Sequence, residues 1–443
     1  MSYDALVLGC GPAGYYCALG CAGAGLRTAV VERGGLGGTG LRWGCLPVKM
    51  LLDGLRREAG RRAPGSSSSA RRFGAASLRR TARAMPGVER MLEARLLEQG
   101  VELIRGEASF LGPHTVAAGG KRLDARAIVI ATGSRPAAPS GIELDGSRAI
   151  SHVELLGLGR IPRRLALIGG DVEGVELACL LAHYGARVEL IEREAELLPG
   201  QDRDLVQPVE ERLKERGVRL WLGSKVQEVA VRGGSVRVRL GDGRELGAEL
   251  ALVTGLRRPN LPDGLDRAGV SHTAECIPVD SDLRTSAAHI LAAGDVTGLC
   301  GMSHAAIRQG LQAAQALAGK GFPSREYGGV PRALYTLPEI AGAGFQEREL
   351  ERQGLAYAKG EFPLPETWRG ISRRLSSGRI KVLAAPDGRV LGVWLVGEEV
   401  SETAALLGLL LERGLTVGQL LEGLITHPTL AEGLREAAWR TGC

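Results

Sequence analysis

Two segments of this chain carry the same order of events, and that repetition restricts the fold more than any other feature. Residues 4–8 form a short apolar run, Gly9-Cys10-Gly11-Pro12-Ala13-Gly14 is a glycine-rich turn, 15–25 reads as a helix, and 28–32 reads as a second apolar strand closed by Glu32. The pattern returns at 164–168, with a turn containing Gly169, Gly170 and Gly174, a helix expected over 175–185 and a strand over 186–192 that ends on Glu192. In such a unit glycines allow a tight turn and the close approach of a pyrophosphate to the helix N-terminus, while the acid ending the second strand holds a ribose hydroxyl. Two copies predict two dinucleotide-type α/β units.

Glycine motifs need support from context here. With 65 glycines in 443 residues, a G-x-G-x-x-G pattern is expected by chance about once per chain. Position between a strand and a helix is therefore what gives the first turn its weight. The same composition excludes other classes. The glycines follow no three-residue period, and 44% hydrophobic residues with a net charge of +6 fit a folded chain rather than collagen or disorder. Basic residues are interspersed and aromatics are only 4%, so no stacking platform or basic tail points to nucleic acid as a partner. No apolar run approaches the length of a membrane span and no signal segment opens the chain, so the expectation is a cytoplasmic protein without membrane insertion. Eight cysteines at irregular spacing, with no C-x-x-C pair, suggest neither a disulfide framework nor a metal site.

Between the two units, 56–83 contains a serine run and reads as a polar helix with a flexible Ser-rich patch. Residues 124–136 and 248–259 are again a pair, each a buried strand followed by Thr-Gly and then Arg-Pro. From Tyr327 the pattern changes to alternating strands followed by an apolar helix over 403–413, an α+β region of its own.

The segment Gly37-Gly38-Thr39-Gly40-Leu41-Arg42-Trp43-Gly44-Cys45-Leu46-Pro47-Val48-Lys49 resembles the active-site helix of the FAD-dependent pyridine nucleotide-disulfide oxidoreductases, whose pattern is GGTC-x-x-x-x-C-x-P-x-K, and among them most closely the dihydrolipoamide dehydrogenases. The resemblance spans the chain through Ala131-Thr132-Gly133, Ala293-Gly294-Asp295-Val296, Ser303-His304, Tyr335-Thr336-Leu337-Pro338-Glu339 and His427-Pro428-Thr429-Leu430-Ala431-Glu432. It implies an α/β fold with two Rossmann-like dinucleotide-binding domains, for FAD and NAD, and a C-terminal α+β dimerisation domain. The expected divisions are 1–148 with 267–326, 149–266, and 327–443. It further implies that FAD is held by Gly9, Gly11, Pro12, Ala13, Gly14, Glu32, Gly38, Thr39, Lys49, Ala108, Thr132, Gly133, Asp295 and Ser303, and that NAD(H) uses Gly169, Gly174 and Glu192. Cys45 matches the thiolate against the flavin, Lys49 the lysine near flavin N5, Glu176 its carboxylate partner, and His427 with Glu432 the acid-base dyad that reaches the other subunit of a homodimer.

Two positions depart from that pattern. Gly40 stands where the family has the first redox cysteine, so a disulfide with Cys45 cannot form and dithiol exchange lacks its nucleophile. Three routes stay open: Cys45 acting through a sulfenic acid or mixed disulfide, another thiol such as Cys443 substituting, or the flavin alone passing electrons onward. Asp171 stands at the middle glycine of the second turn, where its bulk and charge oppose a pyrophosphate, and Glu173 adds an acid beside it. The expected activity is electron exchange between NAD(H) and a thiol, disulfide or sulfur-containing acceptor through flavin and a single cysteine. The alternatives are a flavin-only diaphorase or quinone reductase, or a flavin-containing electron-relay or structural subunit. The partner is then a small-molecule acceptor or a lipoyl or electron-transfer protein.

Overall fold

The computed structural model describes residues 2–59, 67–323, 327 and 329–443. The strand Ser2–Leu8 lies between Thr28–Glu32 and Lys121–Ile130, parallel to both, with Leu6 opposite Ala29 on one side and Ile128 on the other. Glu102–Arg105 extends the sheet beyond Thr28–Glu32, and Ile290–Ala292 returns from far along the chain to pair with Ile128–Ile130. Both faces of Ser2–Leu8 are covered, which is why its last four residues are buried without alternation. The helix Pro12–Gly23 packs closely on Ser303–Leu317, where a Cβ on Gly310 would stand 2.1 Å from the Ala13 carbonyl oxygen.

The second unit repeats this plan. Arg219–Trp221, Arg187–Ile191, Arg164–Ile168, Leu250–Val253 and Ala149–Ile150 form a parallel sheet in that order. A three-stranded antiparallel meander over 226–248 is inserted between Arg219–Trp221 and Leu250–Val253. The paired Thr-Gly segments do more than mirror each other. Ser134–Pro136 pairs antiparallel with Arg257–Pro259, so the strand ends of the two units are hydrogen-bonded together.

The C-terminal region is a five-stranded antiparallel sheet ordered Arg332–Leu334, Glu339–Gly344, Val390–Gly397, Arg379–Ala384 and Ala358–Pro363. Its joint with the second unit is a buried ion cluster. Lys381, fully buried, donates to Asp202 at 2.7 Å, Asp204 at 2.8 Å and Glu347 at 2.9 Å. Those three carboxylates could by type and spacing hold a cation, but the ammonium of Lys381 already bonds to each.

Several boundaries differ from expectation. The first helix starts at Pro12, not residue 15, because a proline fits the first helical turn. The second starts at Val172, not 175, because Asp171 caps it. The C-terminal apolar helix is Ala404–Glu412. Of the segment read as a helix with a flexible serine patch, residues 60–66 lie outside those described, but Ser67 onward is one helix to Glu98. It is held by apolar positions, Ala70, Leu78 and Leu96, that are buried. Among the described residues no helix is long and apolar enough to cross a membrane.

Candidate functional site

The first turn is shaped by two glycines. Gly9 has φ +98°, and a Cβ there would stand 2.5 Å from the Ala131 carbonyl oxygen. A Cβ on Gly14 would stand 1.9 Å from the Gly9 oxygen. Only bare backbone lets the helix start so close to the strand end. Gly11 precedes the helix and has no side chain to cap it, which leaves the positive end of the helix facing the cavity. Glu32 is fixed by two backbone donors, Cys10 N–H at 2.8 Å and Gly34 N–H at 2.7 Å.

A cavity of about 980 Å³ opens at this turn and runs between the units to the C-terminal sheet. Gly9, Gly11, Pro12, Ala13, Glu32, Gly38, Thr39, Cys45, Lys49, Thr132, Gly133, Glu176, Asp295 and Ser303 all line it. The hydroxyl of Thr132 is buried there with no partner, a polar atom that needs a ligand group to satisfy it. Asp295 accepts from Ser134 Oγ at 2.5 Å. Open helix terminus, fixed carboxylate and orphaned hydroxyl together suit a dinucleotide such as FAD.

At the middle of the cavity, Cys45 begins the helix Cys45–Ala59, with its thiol exposed and 3.6 Å from Ser303 Oγ. A Cβ on Gly40 would lie 3.9 Å from that sulfur. Four residues along the helix, Lys49 Nζ donates to Glu176 Oε2 at 2.7 Å and sits 4.4 Å from the centre of the Tyr335 ring. Glu176 Oε1 accepts from Tyr335 N–H at 2.8 Å. Both oxygens of this buried carboxylate are therefore engaged, which fixes the lysine.

The second turn has the same skeleton. A Cβ on Gly174 would stand 1.9 Å from the Gly169 oxygen, and Glu192 accepts from Gly170 and Glu194 N–H groups at 2.5 and 2.8 Å. Asp171, however, accepts from Gly174 N–H at 3.0 Å and from Thr254 Oγ1 at 3.3 Å. Burial pushes its carboxyl up to about 6, only partly opposed by the Gly174 N–H. Glu173 lies against Nδ1 of the buried His152, out of line for a hydrogen bond.

His427 and Glu432 stand apart from the cavity of their own chain. Nδ1 of the imidazole and Oε2 of Glu432 are 2.7 Å apart, and the Trp368 ring meets the imidazole edge-on at 4.8 Å between centres. Glu432 also accepts from Arg369 N–H at 3.3 Å. Imidazole and Trp368 are both exposed. Gly14, Ala108, Gly169, Gly174 and Glu192 do not line the cavity either; Ala108 packs on the first sheet's core. Cys443 is exposed at the C-terminal sheet, its sulfur near the Ala385 oxygen.

Sequence reasoning missed Arg257. From the second unit it reaches into the first, donating to Ser134 Oγ at 2.8 Å and Thr39 Oγ1 at 3.0 Å, beside Asp295. The repeated Arg-Pro after each Thr-Gly turn was a usable signal, because two such strands can pair and bring the arginine across.

Fold and site define a flavoenzyme class built on two dinucleotide folds, with a cysteine and a lysine–glutamate pair at the cavity between them. The chain belongs to the pyridine nucleotide-disulphide oxidoreductase family, whose model matches residues 3–310, with the family's dimerisation domain matching 330–438. It is thus an enzyme of a family that uses FAD and NAD(H), and the dimerisation domain supports a homodimer. It is 31% identical to a dihydrolipoyl dehydrogenase of Geobacillus stearothermophilus, covering 98% of this chain and 95% of that one. A dihydrolipoyl dehydrogenase of Thermus scotoductus is 34% identical over 99% and 97% of the two chains. Among solved structures, LpdA from Mycobacterium tuberculosis superposes with a TM-score of 0.90 at 28% identity, covering 99% of each chain.

Proposed function

We propose that this chain is an FAD-dependent oxidoreductase in which Cys45 alone carries sulfur chemistry at the flavin. The observation behind this is the survival of the full thiol environment around one cysteine: Cys45 at a helix start, Ser303 at 3.6 Å, Lys49 fixed by Glu176, and an intact His427–Glu432 pair. A flavin-only carrier has no use for an oriented imidazole; a thiol reaction does.

FAD would lie along the Gly9–Gly14 turn, Glu32, Gly38, Thr39, Lys49, Thr132, Gly133 and Asp295, and supplies a two-electron store. Around it the chain's own groups have distinct tasks. The thiolate of Cys45, at the start of the helix Cys45–Ala59, is the nucleophile. Attack of that thiolate on the S–S bond of an acceptor forms a mixed disulfide and releases one thiolate, which takes a proton from His427 of the other subunit. Glu432 orients the imidazole. Lys49 places a positive charge where a reduced, anionic flavin would be stabilised.

A second reading, a relay or structural subunit, is favoured by Gly40 together with Asp171. Photoreducing the flavin of the anaerobic holoprotein and following its turnover with lipoamide and with a quinone, before and after Cys45→Ser, separates them. Loss of lipoamide turnover with quinone turnover retained is expected. Lipoamide turnover unchanged in Cys45→Ser would remove sulfur chemistry from this position.

A further inference from the structure

The two turns of one chain allow a direct comparison of an open phosphate site with an altered one. Gly11 precedes the helix Pro12–Gly23 with φ −73° and ψ −173°, and Asp171 precedes Val172–His183 with φ −75° and ψ −175°. The backbones are the same. In the first turn no side chain caps the helix, whereas in the second Asp171 Oδ1 takes the Gly174 N–H at 3.0 Å and the Thr254 hydroxyl at 3.3 Å. Its other oxygen fills the space over Gly255, where a Cβ would be 3.0 Å away. A phosphate oxygen at a helix start uses that same N–H.

Nor is the charge around it favourable to an anion. Glu173 and Glu176 line the same arm of the cavity, and Glu192 lies behind the turn. Among the nearby cations, Lys49 is held by Glu176, Arg193 by Glu194, and Arg257 by Thr39 and Ser134.

We propose that the second nucleotide turn is closed by its own aspartate, so that it does not take the diphosphate of a nicotinamide dinucleotide and the adjoining arm of the cavity admits only ligands without phosphate at that point. This disagrees with the family's use of NAD(H), and it holds whichever acceptor Cys45 serves.

ADP-ribose is the probe, because it carries the diphosphate and adenosine but no nicotinamide, and its binding can be read without turnover. Calorimetric titration into the FAD-loaded protein should give a dissociation constant weaker than about 1 mM. Asp171→Gly should bind at least about tenfold more tightly, having lost both the cap and the like charge. Asp171→Asn, which keeps an oxygen on the Gly174 N–H, should fall between them. Micromolar binding to the unaltered protein, with neither variant tighter, overturns the proposal. So does an Asp171→Gly protein with unchanged flavin spectrum and no gain. Should Asp171→Gly fail to fold, Asp171→Ala, which also takes the oxygen off the Gly174 N–H, decides: tighter binding supports closure, and no change refutes it.

Discussion

Gly40→Cys tests whether the site is a disulfide centre lacking one sulfur. Gly40 lies in the short helix Gly38–Arg42 and is not among the residues with positive φ, so its backbone accepts a side chain. A Cβ there would be 3.9 Å from Cys45 Sγ, 3.8 Å from Pro12 Cγ and 3.2 Å from Ser303 Oγ. With the Cys45 sulfur 3.9 Å from that Cβ, a sulfur placed at position 40 comes within reach of it once the exposed Cys45 side chain, now turned to Ser303, rotates. The Ser303 hydroxyl must give way by a few tenths of an ångström. Closing a six-residue ring should stabilise the oxidised form by about 2 kcal/mol through the unfolded state, less any strain. Thiol titration of denatured protein reads the bond directly. The oxidised variant should show two fewer thiols than after reduction, while unaltered protein shows no difference. Turnover with lipoamide should rise above that of the unaltered protein with the bond and vanish in Gly40→Cys combined with Cys45→Ser. A folded, flavin-loaded variant whose thiols all stay free under oxidant would show that position 40 does not face Cys45.

Two further outcomes follow from other parts of the molecule. Lys381→Met leaves Asp202, Asp204 and Glu347 facing one another without their buried ammonium, which burial pulls toward neutrality and Asp204 and Asp202 hold charged. A loss of about 3–5 kcal/mol of stability is expected in urea unfolding; an unchanged midpoint would refute the role given to the cluster. His427→Ala should lower turnover with a disulfide acceptor by about 10²–10⁴-fold at unchanged flavin content, and a loss below about tenfold would take the imidazole out of the reaction.

How much was readable beforehand depended on whether a feature was local. Strand, turn and helix of each nucleotide unit follow from apolar runs and glycines, whereas the segment around Cys45 is legible through the family resemblance its motif carries. Helix starts at Pro12 and Val172 were misjudged because the first turn of a helix lies under the glycine motif and carries none of its periodicity. Residues 56–83 read as a polar helix with a flexible Ser-rich patch, and the full extent of Ser67–Glu98 was missed because its anchors, Leu78 and Leu96, belong to two different cores. Arg257 was overlooked as a site residue because its partners Thr39 and Ser134 are 218 and 123 residues away, and only the pairing of the two Arg-Pro strands brings them together.

Asp171 shows a different kind of limit. Its letter announces bulk and negative charge in a phosphate turn, but repulsion and occupation are different mechanisms, and only geometry separates them. The carboxylate sits on the N–H a phosphate would use, so occupation should outlast the charge. Acid provides the test. With its carboxyl raised by burial to about 6, Asp171 is ionised at pH 8 and mostly neutral at pH 5, where its oxygen still accepts from Gly174. If repulsion alone closed the turn, ADP-ribose binding at pH 5 would reach that of Asp171→Gly. If occupation dominates, acid should improve binding only to about the level of Asp171→Asn, leaving the glycine variant tighter at both pH values. Equal affinities for the unaltered protein and Asp171→Gly at pH 5 would therefore reject the cap as the cause and leave charge alone.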